Sequence, residues 1–371
     1  MGSELASGCT SGICKRIERL DMMWQAFRQM IACIGCLTVL GSFTPGADAQ
    51  NPPAGDVQAC WPPEDLAGKH GEKASRRQPY NVASEPGGPP VSLSPVPEAM
   101  RGSIRGVKLP HGEKLVALTF DLCSNAGEVS GYDGEIIDTL RRLHAKATFF
   151  ASGKWLLDHK ERAEQLMADP LFEVGAHSWT HRNFRLMNEE QVKADLALDL
   201  KADAALRQSL DAKSCYRDTS PARNDAGRPS VFRFPFGTCN TESLNAVNGA
   251  GLLAIQWDVE TGDPSKAINA EAIRAAGAHA KPGAILVMHA NGRGWHTAEA
   301  LPLMIEDLRK RGFEFATVSG LLAKGEPVIA KECYENKPGD NAKYDKLFPL
   351  ERPADTHWPA VTKNIGETPD K

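Results

Sequence analysis

Seven short, almost unbroken apolar runs, at 115–121, 147–150, 172–176, 231–234, 252–257, 284–288 and 313–316, limit what this chain can become. A strand with one wet face alternates apolar and polar residues; a strand covered on both faces does not. Helical patterns lie between most of the runs. Ile136, Ile137, Leu140 and Leu143 form one apolar stripe, and Leu301, Ile305 and Leu308 form another within residues 297–311. Asn188 and Gln191 are spaced as a capping pair for a helix that reaches about Leu210. Strands alternating with helices predict a parallel sheet, covered on both faces or closed as a barrel. No internal repeat interrupts the pattern.

The ends of the chain read differently. Lys15, Arg16, Arg19 and Arg28 precede an apolar run at 30–43, which is shorter than the roughly 20 residues a bilayer span needs. Ala47-Asp-Ala49 follows, a small-x-small pattern. Together they predict a secretory signal peptide cleaved after Ala49, a periplasmic or secreted product, and no membrane span after cleavage. Residues 50–100 are rich in Pro, Gly and Ser and keep no period, as expected of a linker or an arm laid over the domain. The stretch after Lys331 is similar. The expected organisation is therefore 1–49 signal peptide, 50–107 Pro/Gly-rich linker or arm, 108–325 barrel, and 326–371 C-terminal tail. Cleavage leaves Cys60, Cys123, Cys215, Cys239 and Cys333, an odd number. Export permits disulfides and leaves one thiol over. Cys60 and Cys333 flank the folded middle, and a bond between them would staple both arms. A net charge of −4 offers no broad basic face for nucleic acid.

In parallel α/β folds, chemistry collects at the C-terminal ends of strands. The first run ends in Asp121. The third, FEVGAHSWTH, ends in His177 and His181. The fourth, VFRFPFGTCN, gives Arg233, Pro235, Phe236 and Gly237. The fifth gives Asp258 and Asp263, and the sixth gives His289. Each residue alone has an ordinary structural explanation; an Asp at a strand end, for example, caps many helices. Their shared position in successive units does not.

This order of motifs resembles the NodB-type polysaccharide deacetylases, carbohydrate esterase family 4. The family pattern T-F-D-D, H-[ST]-x-x-H, R-x-P-[YF]-G, D-x-x-D-W and L-x-x-H stands here as Thr119-Phe-Asp-Leu122, His177-Ser-Trp-Thr-His181, Arg233-Phe-Pro-Phe-Gly237, Glu260-Thr-Gly-Asp-Pro264 and Leu286-Val-Met-His289. The resemblance covers roughly residues 108–325 and implies a distorted (β/α)7 barrel. It also implies a divalent metal on His177 and His181, zinc first, with cobalt and nickel as alternatives. Asp121 becomes the general base, oriented and kept charged by Arg233. Phe236, through its backbone N–H, and Gly237 form the oxyanion and substrate-binding turn. His289 becomes the general acid, held by Asp263. The implied substrate is an N-acetylated or O-acetylated glycan.

Two positions depart from the pattern. Leu122 replaces the aspartate that would be the third metal ligand, and Asp133 or Glu128 on the following loop are the nearest carboxylates to fill in. Alternatively, Asp121 itself becomes a ligand. Pro264 replaces a Trp that would wall the sugar groove. Cys123 and Cys239 each follow a loop at the barrel mouth and are expected to bond there, with Cys215 left over. The leading reading is a metal-dependent deacetylase; the alternative is a glycan-binding relative that has lost its metal and its catalysis. A hydrolase for small cyclic amides fits poorly with export.

Overall fold

The computed structural model describes residues 56–79, 85–87, 90–219 and 230–350; the expected signal peptide lies outside them. All seven apolar runs contain strands. In chain order, the strands of the main sheet are β1 (Ser103–Lys108), β2 (Leu115–Leu122), β3 (Ala147–Ala151), β4 (Phe172–Ala176), β5 (Val231–Phe232), β6 (Leu253–Ile255), β7 (Val259–Glu260), β8 (Ile285–His289), β9 (Glu314–Phe315) and β10 (Glu326–Ala330). They run in the order β10-β1-β6-β5-β4-β3-β2-β8-β7, with β9 paired to the start of β2. Every pairing is parallel except β10 on β1. The sheet curls until β1 meets the segment leading into β8. There a single bridge, Gly106 to Ala284, and the bond from Val107 N–H to Gly283 O (2.9 Å) join its two sides. The result is a distorted barrel of mostly parallel strands, as the alternation of strands and helices predicts.

Side-chain parity on β2 separates two environments. Val116, Leu118, Phe120 and Leu122 belong to the large outer core. There they join residues of the helices α1 (Gly134–Arg142) and α3 (Thr297–Lys310). Ala117 belongs to the inner cluster with Ile104, Phe150, Ile255 and Val287. Successive residues of a strand face opposite ways, so Asp121 ends the inner face while Leu122 is buried in the outer one. Between these helices in sequence, α2 (Glu189–Ala212) starts on the expected capping box of Asn188 and Gln191.

The arms are drawn differently from the sequence boundaries. β1 falls within residues 50–107 except for its last residue, Lys108, and β10 falls within 326–371, yet both are strands of the sheet. β1 reads Ser-Ile-Arg-Gly-Val-Lys, too polar to stand out as a covered strand. Its buried Arg105 donates to the carbonyls of Tyr334 and Glu335, which ties the C-terminal arm down. At the other end, Val57, Trp61 and Leu66 are buried in the outer core. Among the described residues, no helix is long and apolar enough to cross a membrane.

The expected disulfides are corrected. Cys60 bonds Cys215 and Cys239 bonds Cys333, while Cys123 is a free, buried thiol. The N-terminal arm lies beside the helix that carries Cys215, and the C-terminal arm returns to the loop after Arg233. The two arms meet through the pairing of β1 with β10 and not through a disulfide, and Cys123 lies beside the histidine pair. Non-reducing peptide mapping is expected to recover linked Cys60–Cys215 and Cys239–Cys333 peptides; a Cys123–Cys239 peptide would overturn this pairing.

Leu122 is fully buried. Leu122→Asp places a carboxylate among outer-core side chains, so it is expected to cost about 3–5 kcal/mol. Thermal unfolding should then fall by roughly 10 °C. An unchanged melting temperature would mean that position 122 can turn inward.

Candidate metal and acid–base site

The site lies at the C-terminal ends of the strands. Asp121 and His289 are register partners on β2 and β8. Arg233, just beyond β5, is wholly buried, and its Nη1 donates to Asp121 Oδ1 at 2.9 Å. The guanidinium lies 4.1 Å from the Phe150 ring centre and 5.6 Å from that of Trp257. Burial alone drives the Asp121 carboxyl upward, but Arg233, with help from His177 and His289, more than offsets this and holds it below its ordinary value. The expected partner of Asp121 is therefore in place.

His289 Nδ1 lies 2.9 Å from Asp263 Oδ1, while Asp263 Oδ2 accepts from the His289 N–H (2.7 Å) and from Thr297 Oγ1 (2.6 Å). Burial lowers the imidazole's proton affinity, and Asp263 raises it by more, so His289 is held above its ordinary value. Asp258 is elsewhere. Its carboxylate accepts from the Ile285 N–H, at the start of β8, where the barrel closes.

The two histidines expected to bind metal also come together. His177 is fully buried, and its Nδ1–H donates to the Arg233 carbonyl at 2.7 Å. That bond fixes the tautomer and leaves the Nε2 lone pair free. Nε2 is buried with no hydrogen-bond partner, 3.7 Å from Asp121 Oδ2. The rings of His177 and His181 are 5.0 Å apart. Burial pushes His177 below its ordinary value and His181 well below it, so both are neutral, as metal ligands must be. An orphaned, desolvated imidazole nitrogen aimed beside a second neutral imidazole fits a divalent ion.

The two carboxylates expected to replace the missing ligand do not reach this pair. Asp133 faces Lys73 (2.8 Å), and Glu128 is engaged by Arg293 (2.5 Å). What reaches it is a residue the sequence reading assigned to a disulfide: the ligand atoms of Cys123, His177 and His181 all lie within 4.8 Å of one another.

The loops are strained where they serve the site. Ser178, His181 and Phe236 are three of the four non-glycine residues with positive φ among those described. Gly237 also has positive φ, and a Cβ there would lie 2.5 Å from the Trp257 ring. The Phe236 ring is held between His181 (4.4 Å between centres) and Phe348 of the C-terminal arm (4.0 Å).

Sequence reasoning missed three supports. Asp195 and Asp199, one turn apart on α2, accept the backbone N–H groups of Trp179 (2.6 Å) and His177 (3.2 Å). Burial pushes Asp195 up to about 7 and Asp199 well above its ordinary value. Their signal was carboxylates at helical spacing beside the buried Leu196 and Leu200. Trp295 is 41% exposed and donates its indole N–H to the carbonyl of Pro264, placing an indole beside the position where the family pattern has one.

Residues 108–255 match the family model described as "Polysaccharide deacetylase". A peptidoglycan-N-acetylglucosamine deacetylase of Bacillus cereus is 26% identical over 219 residues, which is 58% of this chain and 91% of that protein. A protein of the same description from Listeria monocytogenes is 27% identical over 63% of this chain, which spans only 44% of its length. The solved structure of a CE4 family pseudoenzyme from Bacillus anthracis is 23% identical, with a TM-score of 0.47 over 63% of this chain and 71% of that one. The matched segment contains Asp121, His177, His181 and Arg233 in the expected order; Asp263 and His289 lie beyond it and join them in space. Through residues 108–255 the chain thus carries a match to the polysaccharide deacetylases, and over a somewhat longer stretch it is similar to peptidoglycan deacetylases.

Proposed function

We propose that the protein is an exported, metal-dependent deacetylase that hydrolyses N-acetyl (or O-acetyl) groups of a polysaccharide or oligosaccharide. The observation that carries this reading is the placement of two buried, partnered groups of opposite proton demand, Asp121 with Arg233 and His289 with Asp263, around the His177–His181 pair. A divalent ion on the histidines, zinc first with cobalt or nickel as alternatives, supplies the Lewis acid that such hydrolysis uses. Asp121 is the base. Arg233 keeps it ionised and leaves Oδ2 free to take a proton from the attacking water. The Phe236 N–H, on its strained turn, stabilises the oxyanion that develops on the acetyl carbonyl. His289 gives its proton to the leaving nitrogen or oxygen of the sugar, and Asp263 favours the charged imidazolium that this requires. The names of the relatives support an N-acetylated amino sugar as the substrate. The apolar run at 30–43 and Ala47-Asp-Ala49 support export.

The rival, a silent glycan binder, draws on Leu122. A binder has no use for a matched base and acid, each with its own orienting partner, and both pairs are intact here.

With metal-loaded protein and N-acetylglucosamine oligomers, acetate release is expected. Asp121→Asn and His289→Ala should each lower kcat/KM by about 10²–10⁴-fold. The pH profile should be bell-shaped. Activity is lost on the acid side as Asp121, held below its ordinary value by Arg233, gains its proton, and on the alkaline side as His289, held above its ordinary value by Asp263, loses its proton. Glycan binding that is indifferent to chelator, with no acetate from any acetylated glycan, would replace this reading with the binder.

A further inference from the structure

We propose that Cys123 is the third protein ligand of the metal, so that the site is a Cys-His-His shell in which a thiolate replaces the family's carboxylate. This deepens the reading above and rests on it for the role of the histidine pair.

Strand parity is the first support. Leu122 is the last residue of β2 and faces the outer core, while Cys123, one position on, returns to the side of Asp121. The family pattern puts the ligand directly after the base; in this chain that ligand moves one residue further. The second support is the convergence of the three ligand atoms within 4.8 Å, close enough for small side-chain rotations to bring all three onto one ion. The third is independent of the cysteine: His177 Nε2 is buried, has no hydrogen-bond partner, and points into the same space. The fourth is Asn291, itself fully buried. Its Nδ2 donates to the Cys123 carbonyl (3.0 Å) and to Sγ (3.1 Å). An amide N–H on a ligating sulfur orients it and stabilises its charge. Lastly, the other four cysteines among the described residues are committed to disulfides, which leaves this one reduced.

The charge balance is unaltered by the exchange. Metal binding breaks the Cys123 S–H bond, forms an S–metal bond and releases one proton to solvent. One thiolate and two neutral imidazoles then hold the ion, with the same total charge as one carboxylate and two imidazoles. Asp121 stays paired with Arg233 and free to act as base. Sulfur changes the preference among ions: a soft thiolate favours zinc or cobalt over magnesium, calcium and manganese.

The test loads the full-length protein with Co²⁺ alone. A thiolate-to-cobalt charge-transfer band in the near ultraviolet, saturating at one equivalent, is expected. X-ray absorption of the zinc form should show one sulfur neighbour. Cys123→Ser should abolish the band and weaken metal binding at least about 10–100-fold. Stoichiometric cobalt binding by wild type without the band, or no metal binding at all, overturns the proposal without recourse to any variant. Acetate assays on the same samples separate it from the functional reading. A band with no acetate release supports the thiolate shell and defeats the deacetylase. Metal-dependent acetate release with no band and no sulfur neighbour does the reverse.

Discussion

A carboxylate and a guanidinium, both out of water, organise the centre of this molecule. Burying an ion pair costs several kcal/mol per charge, and removing one member leaves the other uncompensated. Asp121 and Arg233 are therefore obligate partners. Arg233 does more than neutralise a charge. Its carbonyl fixes the His177 tautomer, and its guanidinium bonds Asp121 and lies against the rings of Phe150 and Trp257. One residue thus holds the Asp121 carboxyl in its charged form and fixes the direction of the His177 imidazole. It also links β2 to the β5 end of the barrel.

Much of this was legible in the sequence because covered parallel strands leave a simple mark, an apolar run that ends in a polar residue. Asp121, His177, Arg233, Asp263 and His289 all stood at such ends, and the structure brings them together. The rest was hidden for physical reasons. β1 is covered but polar in sequence, and β10 is a half-exposed edge strand that carries a Pro. Disulfide partners depend on where the arms lie, which no local pattern encodes. The place of Cys123 depends on how the chain leaves β2: position 122 follows the alternation outward and 123 returns. A motif comparison, which looks for a carboxylate at one fixed position, sees only a loss at Leu122.

The loops around the site are held under strain by buried neighbours. The turn through Ser178 and His181 is fastened by Asp195 and Asp199 reaching up from α2, and the turn at Phe236 is pressed between His181 and Phe348. The C-terminal arm, bonded to the barrel through Cys239–Cys333, is thereby part of the wall of the site. Positions far from 108–255 in sequence, including α4 (Lys343–Leu347) and the Phe348 that follows it, contribute to a mouth that the family model does not cover.

The pairing of Asp121 with His289 across two neighbouring parallel strands has a further consequence. Adjacent strands lie about 4.8 Å apart, a spacing set by the hydrogen-bond ladder and not by any side chain. The span between the strand positions that carry the Asp121 carboxylate and the His289 imidazole is thus a gauge cut into the sheet itself. Loops at the mouth can lengthen, shorten or exchange residues without altering that gauge. A lineage built on this scaffold can rebuild its mouth while the separation of these two strand ends stays constant. Whatever distinguishes one ligand from another must then arise above the strands, where the walls are replaceable.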